Sequence, residues 1–234
     1  MWLSPMNPRL FLFDIDGTLI STHGIPRKAM RTVLQRRFAD FNYDDNFNFS
    51  GRTDWEIVEH LLHFDKKEVN TELIHEILRE FSIELEQELK DGKKPYIHPG
   101  VEVLLQKLSV ENDGYLGLVT GNIEKGAKLK LHAAGLSHFF PIGGYGNDSK
   151  NRDDLAPIAI QRAAAYYKIK TDKKNIWIIG DSIYDVFCAQ NNKLRCLAVC
   201  TGWTKFEELQ AVNPEYLVQD LSDLQNILKI LLDE

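Results

Sequence analysis

From residue 115 onward the chain repeats one unit, a short apolar run followed by an amphipathic stretch, and that alternation narrows the fold more than any other feature. YLGLVT (115–120), HFFPIGG (138–144), NIWIIG (175–180) and RCLAVC (195–200) read as strands, with helical stretches at 122–134, 153–167 and 183–192 between them. Another such run, RLFLFD (9–14), stands near the start. Apolar runs this dense are buried on both faces, and strands alternating with helices imply crossover connections. The expected fold is therefore α/β, a Rossmann-like parallel sheet covered on both sides by helices. The closing LSDLQNILKILLDE has apolar residues at 221, 224, 227, 228 and 231, so it should dock as an amphipathic helix, with Ser222 and Gln225 as its capping box.

Residues 21–90 break the pattern. IPRKAMRTVLQRRF, TDWEIVEHLLHF and TELIHEILREFSIELEQEL each read as a helix, the last with apolar positions at 74, 77, 78, 81 and 85. NYDDNFNFSGRTD reads as a loop and DGKKP (91–95) as a hinge. The organisation expected is a core made of 1–20 and 91–234, interrupted by a helical insert at 21–90.

Composition excludes several classes. An apolar fraction of 44% supports a real core, and a net charge of −6 leaves no basic surplus for a nucleic-acid backbone. Cys188, Cys196 and Cys200 are odd in number and lack metal-site spacing, so buried reduced thiols are expected. His60 and His63 read as a surface pair. The opening MWLSPMNPRL has no long apolar segment, and no stretch reaches membrane-spanning length, so a soluble cytoplasmic protein is the expectation.

In open parallel sheets, ligands bind at the carboxyl ends of the strands. Those ends here carry Asp14-Ile15-Asp16-Gly17-Thr18, Thr120-Gly121-Asn122, Lys150-Asn151-Arg152 and Gly180-Asp181-Ser182 with Asp185. Each alone is an ordinary turn with a helix cap; together they offer carboxylates, a hydroxyl, cations and glycines, suited to a divalent metal and a phosphate. Asp14 and Asp16 would repel each other if both were near without a cation. Magnesium fits, because it takes oxygen ligands and usually keeps one or two carboxylates. A calcium loop does not: its expected glycine and glutamate positions hold Leu19 and Ile25. A chance D-x-D-G-T at a strand end would occur in only about one chain in several hundred.

FLFDIDGTLI resembles the first motif of the haloacid dehalogenase superfamily, IIGDSIYDV its fourth and LVTGN its second. The resemblance spans the chain and implies a Rossmann-like core with a mobile cap inserted where 21–90 lies. It implies Asp14 as nucleophile, Asp16 as acid and base that also ligates the metal through its carbonyl, and Asp181 completing a Mg2+ site, with Asp185 supporting Asp181 or a metal-bound water. Thr120, Gly121 and Asn122 would bind phosphate, partly through the helix N-terminus. The family's third-motif lysine is replaced: the matching position is Arg152, with Lys150 as competitor. Ser50-Gly51-Arg52-Thr53-Asp54 resembles the substrate-facing loop of phosphoglycolate phosphatase-like members, with Arg52 reaching the substrate and Asp54 read as a helix N-cap. The function implied is hydrolysis of a small phosphorylated metabolite. A phosphomutase similar to beta-phosphoglucomutase also keeps both aspartates. A dehalogenase needs no leaving-group acid, so Asp16 speaks against it, and a silent binding module would have lost a motif residue.

Overall fold

The first strand, β1 (Arg9–Phe13), explains the architecture by itself. Phe11 and Phe13 enter one apolar cluster while Leu10 and Leu12 enter another, so successive side chains are buried on opposite faces. In this computed structural model, which describes residues 7–111 and 113–232, the chain continues through β2 (Ile20–Ser21), α1 (Ile25–Arg37), α2 (Asp54–Phe64), α3 (Thr71–Asp91), β3 (Tyr96–Ile97), α4 (Val101–Val110) and β4 (Gly114–Thr120). It then runs through α5 (Glu124–Ala134), β5 (Gly143–Tyr145), α6 (Leu155–Tyr167), β6 (Ile176–Gly180), α7 (Ile183–Asn192), β7 (Arg195–Val199), α8 (Phe206–Ala211), β8 (Tyr216–Val218) and α9 (Leu224–Leu232).

Six strands form one parallel sheet in the order β5-β4-β1-β6-β7-β8. From β1 the chain first builds outward through β4 and β5, then returns to β6 and builds the other way. The strand order therefore reverses beside β1, and ligands of such sheets bind at that reversal, beyond the strands' carboxyl ends. The helices α4, α5 and α9 cover the Phe11/Phe13 face, while α6 and α7 cover the Leu10/Leu12 face. This is the α/β fold that the alternation of runs leads one to expect.

The insert packs on itself. Helices α1, α2 and α3 share a separate apolar cluster, including Met30, Leu61, Ile77 and Phe81, to which Ile123 of the core also belongs. The segments leaving and re-entering the core pair as the antiparallel ribbon β2–β3, with Ile20 opposite Ile97. The re-entry residues thus extend beyond the expected 91–95 hinge, since α3 itself runs to Asp91.

Three local expectations need correction. Residues 137–139 form a short 3-10 turn and only 143–145 are strand, because Pro141 has no N–H to give a ladder. Ser222 does not cap the last helix: its hydroxyl goes to Asp220, and Asp223 accepts from the Asn226 N–H at 3.3 Å instead. His60 is not a surface partner of His63. It bonds Asp44 at 2.9 Å and stacks on Phe47 at 3.6 Å. The three cysteines are free thiols, two buried and Cys200 half-buried. No helix among the described residues is long and apolar enough to cross a membrane.

Candidate active site

The carboxyl ends of β1 and β6 bring Asp14, Asp181 and Asp185 together, each with a carboxylate oxygen within 4.8 Å of the others. All three are buried. Asp14 is the residue after β1; Asp181 follows β6; Asp185 lies in the first turn of α7, where it completes a capping box with Ser182. Its Oδ2 accepts from the Ser182 hydroxyl at 2.6 Å and the Ser182 N–H at 3.0 Å. Thr18 donates to Asp181 Oδ1 at 2.9 Å. Gly17 is needed twice over: its φ is +88°, and a Cβ there would sit 2.5 Å from Asp181 Oδ2.

Arg152 is the basic residue that the fold carries into this cluster. Its Nη2 stands 2.5 Å from Asp185 Oδ1 and 3.3 Å from Asp14 Oδ1, and its Nη1 donates to the Gly51 carbonyl at 3.2 Å. Lys150, by contrast, is exposed, with Glu59 at 4.0 Å. Burial opposes the Arg152 charge, but Asp185 and Asp14 outweigh it and hold the guanidinium firmly protonated. One guanidinium facing three carboxylates leaves the cluster short of positive charge. Burial, with only partial relief from Arg152, pushes Asp14 up to about 6. Burial together with Asp14 and Asp185 raises Asp181 well above the carboxylate range.

The deficit is what a divalent cation corrects, and the donor set fits one: oxygen ligands only, in a pocket that glycines keep open around Asp181. A Cβ on Gly202 would lie 1.6 Å from Asp181 Oδ2. Arg152 Nε is buried and has no acceptor among the described residues.

Asp16 does not join this trio with its carboxylate; Asp185 is the third member instead. The Asp16 side chain turns toward α5, where Lys130 Nζ lies 2.6 Å and Asn122 Nδ2 2.8 Å from its Oδ2. Asn122 also donates to the Thr120 hydroxyl at 2.8 Å. Thr120, Gly121, Asn122, Arg152 and Arg52 all line one cavity of about 850 Å³ with Asp14 and Asp16. The α5 N-terminus is less open to an anion than its sequence suggests. The Ile123 N–H goes to Asp54 Oδ2 at 2.8 Å and the Glu124 N–H to Asn147 at 2.7 Å.

The insert closes over this cavity. Thr53, not Asp54, is the α2 N-cap, in a reciprocal pair with Glu56, because its hydroxyl faces the helix amides while Asp54 is already helical. Asp54 reaches across to the core, and its own N–H donates to the Gly121 carbonyl at 2.7 Å. Gly121 admits this contact: a Cβ there would stand 1.9 Å from the Arg52 carbonyl oxygen. Burial, offset by the charge of Lys130, lifts Asp54 to about 6. Arg52 lies over the Phe47 ring at 5.0 Å and the Tyr184 ring at 5.3 Å.

Lys130 is the site residue the sequence reading passed over. Its signal was there: Ala127, Lys130, Leu131 and Ala134 share the i, i+3, i+4, i+7 stripe of α5, and all are buried. A lysine in a core stripe needs a reason, and Asp16 is that reason.

A parallel sheet with its strand order reversing beside a carboxylate cluster, a buried arginine and a cavity defines a Rossmann-like α/β core with a site for a charged group. The chain belongs to the haloacid dehalogenase-like hydrolases, whose family profile matches residues 11–199. Relatives of the chain are named pyrophosphatases and a phosphoglycolate phosphatase, and it is a hydrolase of that phosphatase family. A pyrophosphatase PpaX of Oceanobacillus iheyensis is 22% identical over 224 residues, covering 95% of this chain and 98% of the relative. A phosphoglycolate phosphatase of Agrobacterium fabrum is 24% identical over 221 residues, covering 94% and 91%. In fold the chain is similar to CbbY from Rhodobacter sphaeroides, solved in complex with phosphate, at TM-score 0.75 and 18% identity over 93% of this chain and 96% of that one.

Proposed function

We propose that the protein is a magnesium-dependent phosphatase that hydrolyses a small phosphate monoester through an aspartyl-phosphate on Asp14. The observation that carries this reading is the buried Asp14 carboxylate, held against Arg152 and among Asp181 and Asp185, on the wall of a cavity it shares with Asp16.

Asp14 attacks phosphorus, and the ester oxygen leaves with the electron pair of the broken P–O bond. Asp16 gives that oxygen its proton, then takes one from the water that cleaves the aspartyl-phosphate. Arg152, which lines the cavity with its Nη2 3.3 Å from Asp14, binds phosphoryl oxygens that gain charge as the bond breaks. Asp14, Asp181 and the Asp16 carbonyl would hold Mg2+, with Asp185 beside them; the ion supplies neutralisation of the carboxylates and of the phosphoryl group. Residues 21–90 act as a cap that excludes water from the cavity, and Arg52 contacts the part of the substrate beyond the phosphate.

The test is Asp14→Asn assayed for inorganic phosphate release from p-nitrophenyl phosphate and a panel of phosphorylated metabolites. Activity should fall by about 10⁴-fold or more with the fold intact. Turnover surviving in this variant would overturn the assignment. Isomerisation of a sugar phosphate without phosphate release would assign a phosphomutase instead.

A further inference from the structure

Lys130 is buried to 2% exposure, and its ammonium has left water for a site deep between α5 and the β1 end. Such a transfer costs several kcal/mol unless the charge is paired. The pairing here is specific: Nζ lies 2.6 Å from Asp16 Oδ2 and 2.5 Å from Asn122 Oδ1. Because Lys130 takes the Asn122 carbonyl, the Asn122 amide nitrogen is turned the other way, onto the same Asp16 oxygen. Asp16 Oδ2 is therefore clamped by two donors. Among the described residues Asp16 Oδ1 has only the Thr22 hydroxyl, at 3.5 Å.

We propose that Lys130 is a positioning residue that anchors one oxygen of Asp16, so that the other is presented to the leaving-group oxygen of the substrate. This rests on the reading of Asp16 as the acid of the proposed reaction. A carboxylate that serves in acid–base chemistry needs one oxygen fixed and one available, and a misplacement of about 1 Å can cost about 100-fold. The same lysine acts electrostatically on Asp54, which belongs to the insert and accepts the Ile123 N–H of the core. Lys130 thus stands between the acid and the element that closes the cavity.

The distinguishing measurement is leaving-group dependence. In Lys130→Met, kcat/KM, which covers the steps through departure of the leaving group and excludes the later hydrolysis of the aspartyl-phosphate, is measured on substituted phenyl phosphates running from p-nitrophenyl to p-methylphenyl. Nitrophenolate departs without help, so its rate should fall by no more than about threefold; p-cresol needs a proton, so its rate should fall by about 100-fold. Asp16→Ala should show the same tilt, and adding Lys130→Met to it should cost nothing further. An equal loss across the series, or a raised KM with kcat unchanged, would overturn the proposal: the first marks a structural lysine, the second a substrate ligand. If Lys130→Met does not fold, Lys130→Gln, which keeps an N–H donor at that place, should show a shallower tilt of the same sign, and no tilt would sink the idea. Failure of the underlying reading looks different. It would appear as an active Asp14→Asn enzyme, or as an Asp16→Ala enzyme with the wild-type slope.

Discussion

Two acidic clusters, here called walls, meet the cavity through Asp14 on one side and Asp16 and Asp54 on the other, and they balance their charge in opposite ways. On the β1/β6 wall, Asp14, Asp181 and Asp185 face one guanidinium, and burial drives Asp14 and Asp181 toward protonation. On the α5 wall, Asp16 has Lys130 at 2.6 Å, and Asp54 is partly relieved by the same lysine. The first wall is short of positive charge among the described residues, a deficit that the Mg2+ of the proposed reaction would make good. The second carries its own cation on a helix of the core. Carboxylate count therefore says little about metal demand; what decides it is whether the chain supplies the counter-charge at the same depth.

The largest consequence is metal dependence confined to one wall. Chelation should lower phosphatase activity by about 10³-fold or more, and restoring Mg2+ should recover it. Mg2+ at about 100 times its dissociation constant should also stabilise the fold by about 2.7 kcal/mol. That thermal shift should vanish in Asp181→Asn and persist in Asp54→Asn. A shift lost equally in both variants would erase the distinction between the walls.

A smaller effect follows from the seam. Asp54 titrates near 6 when folded and near 3.8 when not. Between those values the unfolded chain releases the proton first, so this residue's contribution to stability falls as pH rises from about 4 to about 6, by about 3 kcal/mol. Asp54→Asn keeps an oxygen for the Ile123 N–H but removes the titration. In metal-free urea denaturation, the variant should gain on the wild type by about that amount between pH 4 and pH 7. Parallel curves would show that the seam carries no such penalty. The sign is opposite to that of a salt-bridged aspartate, because here burial exceeds the help from Lys130.

How much of this was legible follows from the range of each interaction. The sheet and most of its helices could be read because burial on both faces imposes apolar runs at β1, β4, β6 and β7, a local pattern. The members of the acid trio could be read as strand-end motifs, since Asp14, Asp181 and Asp185 sit in short strings tied to a turn and a helix cap. Their partition could not. That Asp16 turns to α5 while Asp185 completes the trio depends on a contact 114 residues away, through Lys130. The Asp54 misreading has the same root: its carboxylate suits a cap, and it does serve a helix N-terminus, but that of α5 across the seam. Helix periodicity could have exposed Lys130 as a charge on an apolar stripe; its partner lay beyond any local rule.

Arg52 offers the smallest effect and a sharper view of the cavity between the walls. It is half-buried, lies against the Phe47 and Tyr184 rings, and pairs with no carboxylate among the described residues. Neither wall uses it for balance, in contrast to Arg152 and Lys130. In the proposed reaction such a cation, lining the cavity, would hold substrate rather than take part in bond cleavage. Arg52→Ala should therefore raise KM about tenfold and leave kcat within about threefold, and the KM increase should shrink for substrates with no polar group beyond the phosphate. A fall in kcat with unchanged KM would move Arg52 out of the binding role and into the reaction itself, because losing an interaction made only in the transition state lowers kcat without weakening the ground-state complex.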